Sequence, residues 1–528
     1  MTEKINSKST GLNTARDNET EALKNHFKQI WDGTKPLAML FRTDSRGYLY
    51  DTGTNKILGC DDLVFELLEY LFSMDVECSI QAFLAKHGEE KFLYAAGSIN
   101  DAVKSQNILK FKKAEEFYYT SGKCDAVEMI QSYLEMIILE VTEQCNLRCG
   151  YCIYNPDYKE NRSHGKSDMS TDVAEKALIY LKEHSYKQDK VGITFYGGEP
   201  LLAFPLIEWC VAYSKQLFKN KKIDFSITTN GTLLTQEMAQ FFRKNNFLVL
   251  LSIDGPEEIH NSFRKYPNKT GSYSDSMRGL RYLIDAYGDL AEKKLKLSMV
   301  YTPPFSSKRL DDIARLWEEN EWIPAKLSGN IAYPTPGTIP PGSFFKAQTP
   351  EDKTMHEWAF EKFRLKFNHQ GQSNPLADYI MEYSLTRLMQ RPLNKTPYHR
   401  INLNGCCVPG ARRLFVTISG NFFLCERIST NTPPIGNVYS GVDIETIKKN
   451  YIDRYMELRF PQCSCCWAAR FCDLCFRDAF KDGVMCPNEN SKGCAFLKNH
   501  KTKSMEYLCT LMEDNPGGLD YLMERAIH

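Results

Sequence analysis

Cys145, Cys149 and Cys152 stand in the segment CNLRCGYC, directly after the apolar run MIILEV (136–141). Thiolates spaced x3 and x2 can converge on one iron–sulfur cluster, and three ligands instead of four leave one iron open to an exogenous group. The spacing alone leaves two alternatives open: a zinc site, which ordinarily closes four protein ligands around the ion, and three buried thiols. A second group lies downstream, where eleven of the 18 cysteines fall between Cys406 and Cys509, against about four for an even spread from there to the end. Their order is Cys407-x12-Gly420-x4-Cys425, then Cys463-x2-Cys466-x5-Cys472-x2-Cys475, then Cys486 and Cys494, with Cys406 and Cys465 beside these runs. A reducing cytosol does not pair such thiols into structural disulfides, so metal is the expectation. A secreted disulfide protein would need an export signal, which MTEKINSKSTGLNTARDNE does not contain.

Residues of this kind need a scaffold, and 528 residues suffice for about three domains. The 66 basic and 66 acidic side chains cancel, which argues against a nucleic-acid binder that works through net charge. No apolar run is long enough for a membrane helix, so a cytoplasmic protein with no nucleic-acid or membrane partner is expected. Residues 1–35 read as a polar arm ending in a short helix, Glu21 to Trp31. Three strand-like runs (37–42, 47–51 and 55–59) and three helical ones (61–73, 79–87 and 99–107) make a winged-helix-like domain over 36–110. A charged linker, 111–133, follows. Over 134–333, strands at 136–141, 192–196, 224–229, 248–253, 295–301 and within 326–333 alternate with helices at 170–184, 205–219, 233–245, 274–286 and 307–320. That alternation predicts an α/β domain with a parallel sheet, an open or partial (β/α)6 barrel, because parallel neighbours need helical crossovers. A bridging insertion spans 334–404, the cysteine-rich tail 405–500 and a C-terminal helix 501–528.

CxxxCxxC with an aromatic before its last cysteine, placed after the first strand of a partial barrel, resembles the radical S-adenosylmethionine (SAM) superfamily. Tyr196-Gly197-Gly198-Glu199-Pro200 at the end of the second strand matches that family's GGEP segment, whose backbone and carboxylate hold the amino group of the SAM methionine. Glycine suits a place where a ligand approaches the backbone closely. Thr229-Asn230-Gly231 after the third strand is also family-like. The resemblance assigns Ser252 and Arg264 to the SAM ribose and carboxylate and Tyr151 to the adenine side; a structural Asp254–Arg264 ion pair is the alternative. The tail resembles the SPASM extension, which binds two auxiliary [4Fe–4S] clusters, although its last spacing is x2 where the family has x3. By that resemblance Cys406 or Cys407, Cys425 and Cys475 belong to one auxiliary cluster, and Cys463, Cys466, Cys472 and Cys494 to the other. Cys465 and Cys486 compete for these places, and a zinc ribbon is the structural alternative. Cys60, Cys78, Cys124, Cys210 and Cys509 read as ordinary thiols.

The resemblance implies SAM cleavage at the open iron and hydrogen abstraction from a substrate carbon, with auxiliary clusters as an exit for electrons. It also implies a low-potential donor such as flavodoxin or ferredoxin. SPASM proteins include sulfatase maturases and maturases of ribosomal peptides. Glu426, after Cys425, stands where sulfatase-maturing relatives carry a proton-accepting Asp. The unit at 36–110 resembles the domain in which a precursor's leader peptide adds a strand to a sheet edge. The expectation is therefore a peptide maturase forming Cys-to-carbon thioether crosslinks. Sulfatase-type maturation, carbon–carbon crosslinking and, outside the enzymes, an iron–sulfur electron carrier are the alternatives.

Overall fold

The structure is a computed structural model and describes residues 6–525 apart from 32, 119–124, 156–161, 328, 336, 340–352, 403–406, 430, 482 and 487–490. Short β-former runs between turn residues pair as an antiparallel meander of β1 (Ala38–Arg42), β2 (Gly47–Asp51) and β3 (Lys56–Cys60). Helices Asp62–Ser73, Val76–His87 and Glu89–Gln106 follow. Asp61 and Asp75 cap the first two by accepting the backbone N–H of Val64 and Cys78. The third helix starts ten residues earlier than expected, because Phe92, Ala95 and Ala96 continue the buried stripe of Ile99 and Val103. The N-terminal stretch expected as an arm is helical from Asn6 to Trp31. Leu23, Phe27 and Trp31, four residues apart, join the same core as Leu67, Phe83 and Phe92.

The segment expected as a linker contributes β4 (Glu116–Tyr118) and the helix Ala126–Ser132. Then come β5 (Met136–Thr142), β6 (Lys190–Gly197), β7 (Lys222–Thr229), β8 (Leu248–Ser252), β9 (Leu295–Val300) and β10 (Gly329–Ala332), each parallel to the next. Helices Thr171–His184, Phe204–Leu217, Gln236–Lys244, Tyr273–Tyr287 and Ser307–Glu318 make the crossovers, with a short helix Glu257–Phe263 added after β8. This is the expected partial (β/α)6 barrel. β5 is buried on both faces from Ile137 to Thr142, as a strand covered on two sides must be.

The sheet does not end at the expected domain boundary. β11 (Arg400–Asn402) pairs with β4, and β12 (Arg413–Val416) lies parallel to β5. β13 (Asn421–Phe423), β14 (Gly436–Asn437) and β15 (Gly441–Val442) extend it as antiparallel neighbours to ten strands. At the far edge the insertion's helix Pro375–Met389 packs on β10, and both that helix and Met355–Phe367 pack against the C-terminal helix, which begins at Ser491.

The rings of His356 and His500 meet 4.0 Å apart where the helices Met355–Phe367 and Ser491–Asp514 pack. Burial, with the neighbouring positive charges, pushes His356 down to about 3 and His500 down to about 4. Unfolded histidines take up protons near pH 6.5, so the unfolded chain binds more protons from there down to about 4 and stability falls as pH drops through that window. The double variant His356→Phe/His500→Phe should flatten the dependence of the thermal midpoint on pH between about 7 and 5; a variant that tracks the parent throughout would contradict this account.

Candidate active site

The cysteine loop leaves the C-terminal end of β5 and is held by the ends of its neighbours. Gly198 and Glu199 donate their N–H groups to the carbonyls of Thr142 (2.9 Å) and Gln144 (2.8 Å). The Arg148 and Gly150 N–H groups reach the carbonyls of Lys265 (2.7 Å) and Phe263 (2.9 Å). Asn146 donates to Thr232 Oγ1 (2.8 Å) and accepts from Asn230 Nδ2 (2.9 Å). The glycines have a local reason beyond ligand approach. A Cβ on Gly197, at φ +139°, would sit 2.2 Å from the Thr142 carbonyl oxygen, and one on Gly198 2.1 Å from that of Gln144.

Cys145, Cys149, Cys152, Tyr151, Gly197, Gly198, Glu199, Ser252 and Arg264 all line one cavity of about 150 Å³. Burial pushes the Cys145 and Cys149 thiols up to about 12 and raises Cys152; nearby Glu199 adds to the effect at Cys145, and Arg264 opposes it at Cys149. Ligation therefore has to displace protons. The backbone N–H groups of Leu147 and Tyr154 point at the sulfurs of Cys145 and Cys152, each at 3.4 Å, and favour thiolate. Among the described residues no three His, Cys, Asp or Glu side chains close on a single ion. A cavity wall carrying three thiols, with amides aimed at two of them, fits an iron–sulfur cluster.

Glu199 is 1% exposed, and burial raises its pKa against the hydrogen bonds that hold it ionised. One oxygen accepts from Thr229 Oγ1 (2.6 Å) and Leu201 N–H (3.0 Å), the other from Asn230 N–H (2.7 Å). Three of about four acceptor positions on the carboxylate are thus used by the chain itself. Arg264 and Asp254 do form an ion pair, Nε to Oδ2 at 3.0 Å. Tyr151 donates its hydroxyl to the same Asp254 oxygen and lies beneath the guanidinium. The ion pair and the cavity role are compatible, because Arg264 lines the cavity while paired and its charge acts on the Cys149 thiol.

In the tail, burial raises the thiols of Cys463, Cys466 and Cys472, and nearby Cys494 adds to the rise at all three. Cys475 faces Cys425, whose buried thiol is pushed up to about 11 by burial and then by the charge of Glu426. Cys407 lies 3.9 Å from Arg412 Nη1, Cys465 is exposed, and Cys486 donates to the Val484 carbonyl. Cys406 and Cys124 lie outside the described residues. Glu426 sits between Arg413 (3.7 Å) and Arg427 (3.6 Å) with one carboxylate oxygen buried and without a hydrogen bond. Its charge reaches Tyr196, which lines the cavity.

Sequence reasoning missed Tyr154 and His164 in the cavity wall, and Glu140 and Arg162 behind it. Glu140, 1% exposed, accepts from Tyr154 Oη (3.0 Å) and pairs with Arg162 (3.2 Å), which also donates to the Glu426 carbonyl (2.7 Å). A lone acid inside the run MIILEV was the available signal.

Residues 139–316 match the family described as the Radical SAM superfamily. They are a radical SAM domain. Similar proteins include a serine-type anaerobic sulfatase-maturating enzyme of Bacteroides thetaiotaomicron, 39% identical over 28% of this chain and 36% of that protein. A cysteine-type counterpart from Clostridium novyi is 34% identical over 28% of this chain and 40% of that protein. The match thus spans well under two thirds of either relative. The solved structure of anSMEcpe with bound AdoMet shares the fold, with a TM-score of 0.54 and 21% identity over 74% of this chain and 98% of that one. No described helix is long and apolar enough to cross a membrane.

Replacing Cys145, Cys149 and Cys152 together by Ala should lower the iron content of anaerobically reconstituted protein by about four atoms while the tail keeps its iron. Gly198→Ala, which pushes the radical SAM domain's cysteine loop away, should cause the same loss. Full iron in the triple variant would remove the radical SAM domain's loop from the ligand set.

Proposed function

We propose that this chain is a radical SAM enzyme of the SPASM type that forms Cys-to-carbon thioether crosslinks in a ribosomally made, cysteine-rich precursor peptide. The observation that carries this is the convergence of three thiols, the GGEP backbone, Ser252 and Arg264 on one cavity at the C-terminal ends of parallel strands. Bound there, a [4Fe–4S] cluster and SAM supply reductive cleavage to a 5′-deoxyadenosyl radical that abstracts hydrogen. The chain's part is to bind and orient: Cys145, Cys149 and Cys152 hold the cluster, Gly197, Gly198 and Glu199 receive the methionine end of SAM, and Ser252 and Arg264 its ribose and carboxylate. Tyr151 forms the floor on the adenine side.

Cys463, Cys466, Cys472 and Cys494 hold one auxiliary cluster, and Cys425 and Cys475, with Cys406 or Cys407, the other; the grouping of the first four and the approach of Cys425 to Cys475 support that division. Glu426 accepts the substrate proton, a role supported by a buried carboxylate oxygen left without a hydrogen bond near the cavity wall. Among the described residues β3 ends its sheet with no strand paired on its outer side, the kind of edge to which a leader peptide adds a strand. A flavodoxin or ferredoxin supplies electrons, and the enzyme works in the cytoplasm without nucleic acid or membrane.

A second reading, formylglycine formation in a sulfatase, is favoured by the names of the relatives and by the carboxylate at Glu426. The N-terminal three-strand, three-helix unit favours the ribosomal peptide. Mass spectrometry decides between them. Incubating the reduced, reconstituted protein with SAM and a cysteine-rich peptide encoded beside its gene should remove two hydrogens per crosslink, block thiol alkylation and yield 5′-deoxyadenosine. SAM cleavage with an unchanged peptide mass would sink the thioether assignment and bring sulfatase peptides forward.

A further inference from the structure

Away from the cluster cavity, a hollow of about 370 Å³ opens where the β2–β3 turn, the helix Pro375–Met389, the tail segment Arg470–Asp473 and the C-terminal helix meet. Among the described residues that line it are the cations Arg387, Arg391, Arg470 and Lys501 and one carboxylate, Asp473. That carboxylate is shared, one oxygen bonding Arg387 Nη1 (2.7 Å) and the other Lys501 Nζ (2.5 Å). Arg391 is pinned by carbonyls, donating Nε to Asn55 (2.9 Å) and Nη1 to Leu388 (2.6 Å), and among the described residues no carboxylate pairs with it. Arg470 is likewise braced by the carbonyls of Thr52, Tyr398 and Arg400. Ser384, also on the wall, donates to Ser504 Oγ (3.2 Å), which donates in turn to the His500 carbonyl (2.8 Å).

Carbonyls orient a guanidinium and leave its charge in place. With Asp473 shared between Arg387 and Lys501 and, among the described residues, no carboxylate on Arg391, these side chains leave an excess of positive charge in the hollow that draws an anion. We propose that this hollow binds a small, multiply charged oxyanion, phosphate-bearing or polycarboxylate, through Arg387, Arg391 and Lys501. Guanidinium groups match the oxygen pairs of such anions, and a singly charged ion would leave most of the excess uncompensated. Arg391 also holds the Asn55 carbonyl of the β2–β3 turn and Lys501 stands on the helix that carries Cys494, so the bound anion links these elements to the helix Pro375–Met389. The site is independent of the reaction proposed above, and either can fail alone.

The test is the thermal midpoint of the anaerobically purified full chain, titrated with pyrophosphate and with citrate against sodium chloride at matched ionic strength. A saturable rise with a polyanion, absent in chloride, is expected; the stronger of the two separates a phosphate-bearing from a polycarboxylate ligand. Arg387→Gln and Lys501→Gln should need at least about tenfold more anion for the same rise. Ser384→Glu, which puts a negative charge at the wall and removes no cation, should abolish the rise. Equal responses to chloride and polyanions, or a parent-like titration in any variant that folds, would overturn the proposal; if no variant folds, calorimetry of pyrophosphate binding to the parent decides, and the absence of a heat overturns it.

Discussion

A buried carboxylate holds the radical SAM cavity together. Glu199 takes hydrogen bonds from Thr229, Asn230 and Leu201, so the end of β6 is tied to the end of β7 and to the turn that follows. Its own N–H, with that of Gly198, in turn holds the start of the cysteine loop. Burying a carboxylate is unfavourable unless its oxygens find donors, and here three donors from two segments supply them. Were this tie to loosen, the strand ends would have no fixed spacing and the loop no bed to lie on.

The second half of the machinery is brought to the first by sheet continuation. Because β12 pairs in parallel with β5 and β13 runs back along it, the hairpin returns Cys425 and Glu426 to the level of Arg413, with no long linker. That level is beside Met136 at the N-terminal end of β5, opposite the end that carries the cysteine loop. The loop with Cys463, Cys466 and Cys472 is then braced from the N-terminal unit. Tyr50 packs against Trp467 and Phe471, Thr52 Oγ1 donates to the Trp467 carbonyl, and Ala114 N–H bonds the Ser464 carbonyl at 2.8 Å. The residues between these cysteines are therefore interface residues, and the unit that would receive a peptide touches the loop that would hold iron.

The barrel was legible because most strands are short apolar runs and each crossover helix carries its own stripe, features that survive in one dimension. Ser170, for example, caps its helix as its position before Thr171 implies. What could not be read was contact between distant segments. The pairing of β4 with β11 joins residues nearly three hundred positions apart through three-residue strands too short to show a period. Likewise β12 looked like the start of a separate domain, since nothing in RLFV says that it extends the edge at β5. At the site, residues with a motif were found and residues without one were missed: Tyr154, His164 and Arg162 gain their place only from the fold.

One pattern emerges only from the assembled site. Three of the barrel's strands carry a buried acid at or just past their C-terminal ends, Glu140 on β5, Glu199 after β6 and Asp254 after β8, each nearly inaccessible to water. None is left bare. Glu140 has Arg162 and Tyr154; Glu199 has two backbone amides and a hydroxyl; Asp254 has Arg264, Tyr151 and the Val300 N–H at 3.0 Å. Arg264 is thereby fixed as a permanent cation beside the Cys149 thiol, where it offsets the burial that disfavours thiolate. Fixed charges at the strand ends thus act before any ligand arrives: they set the shape of the cavity, and around Cys149 they lower the cost of the ionised sulfur that a cluster requires.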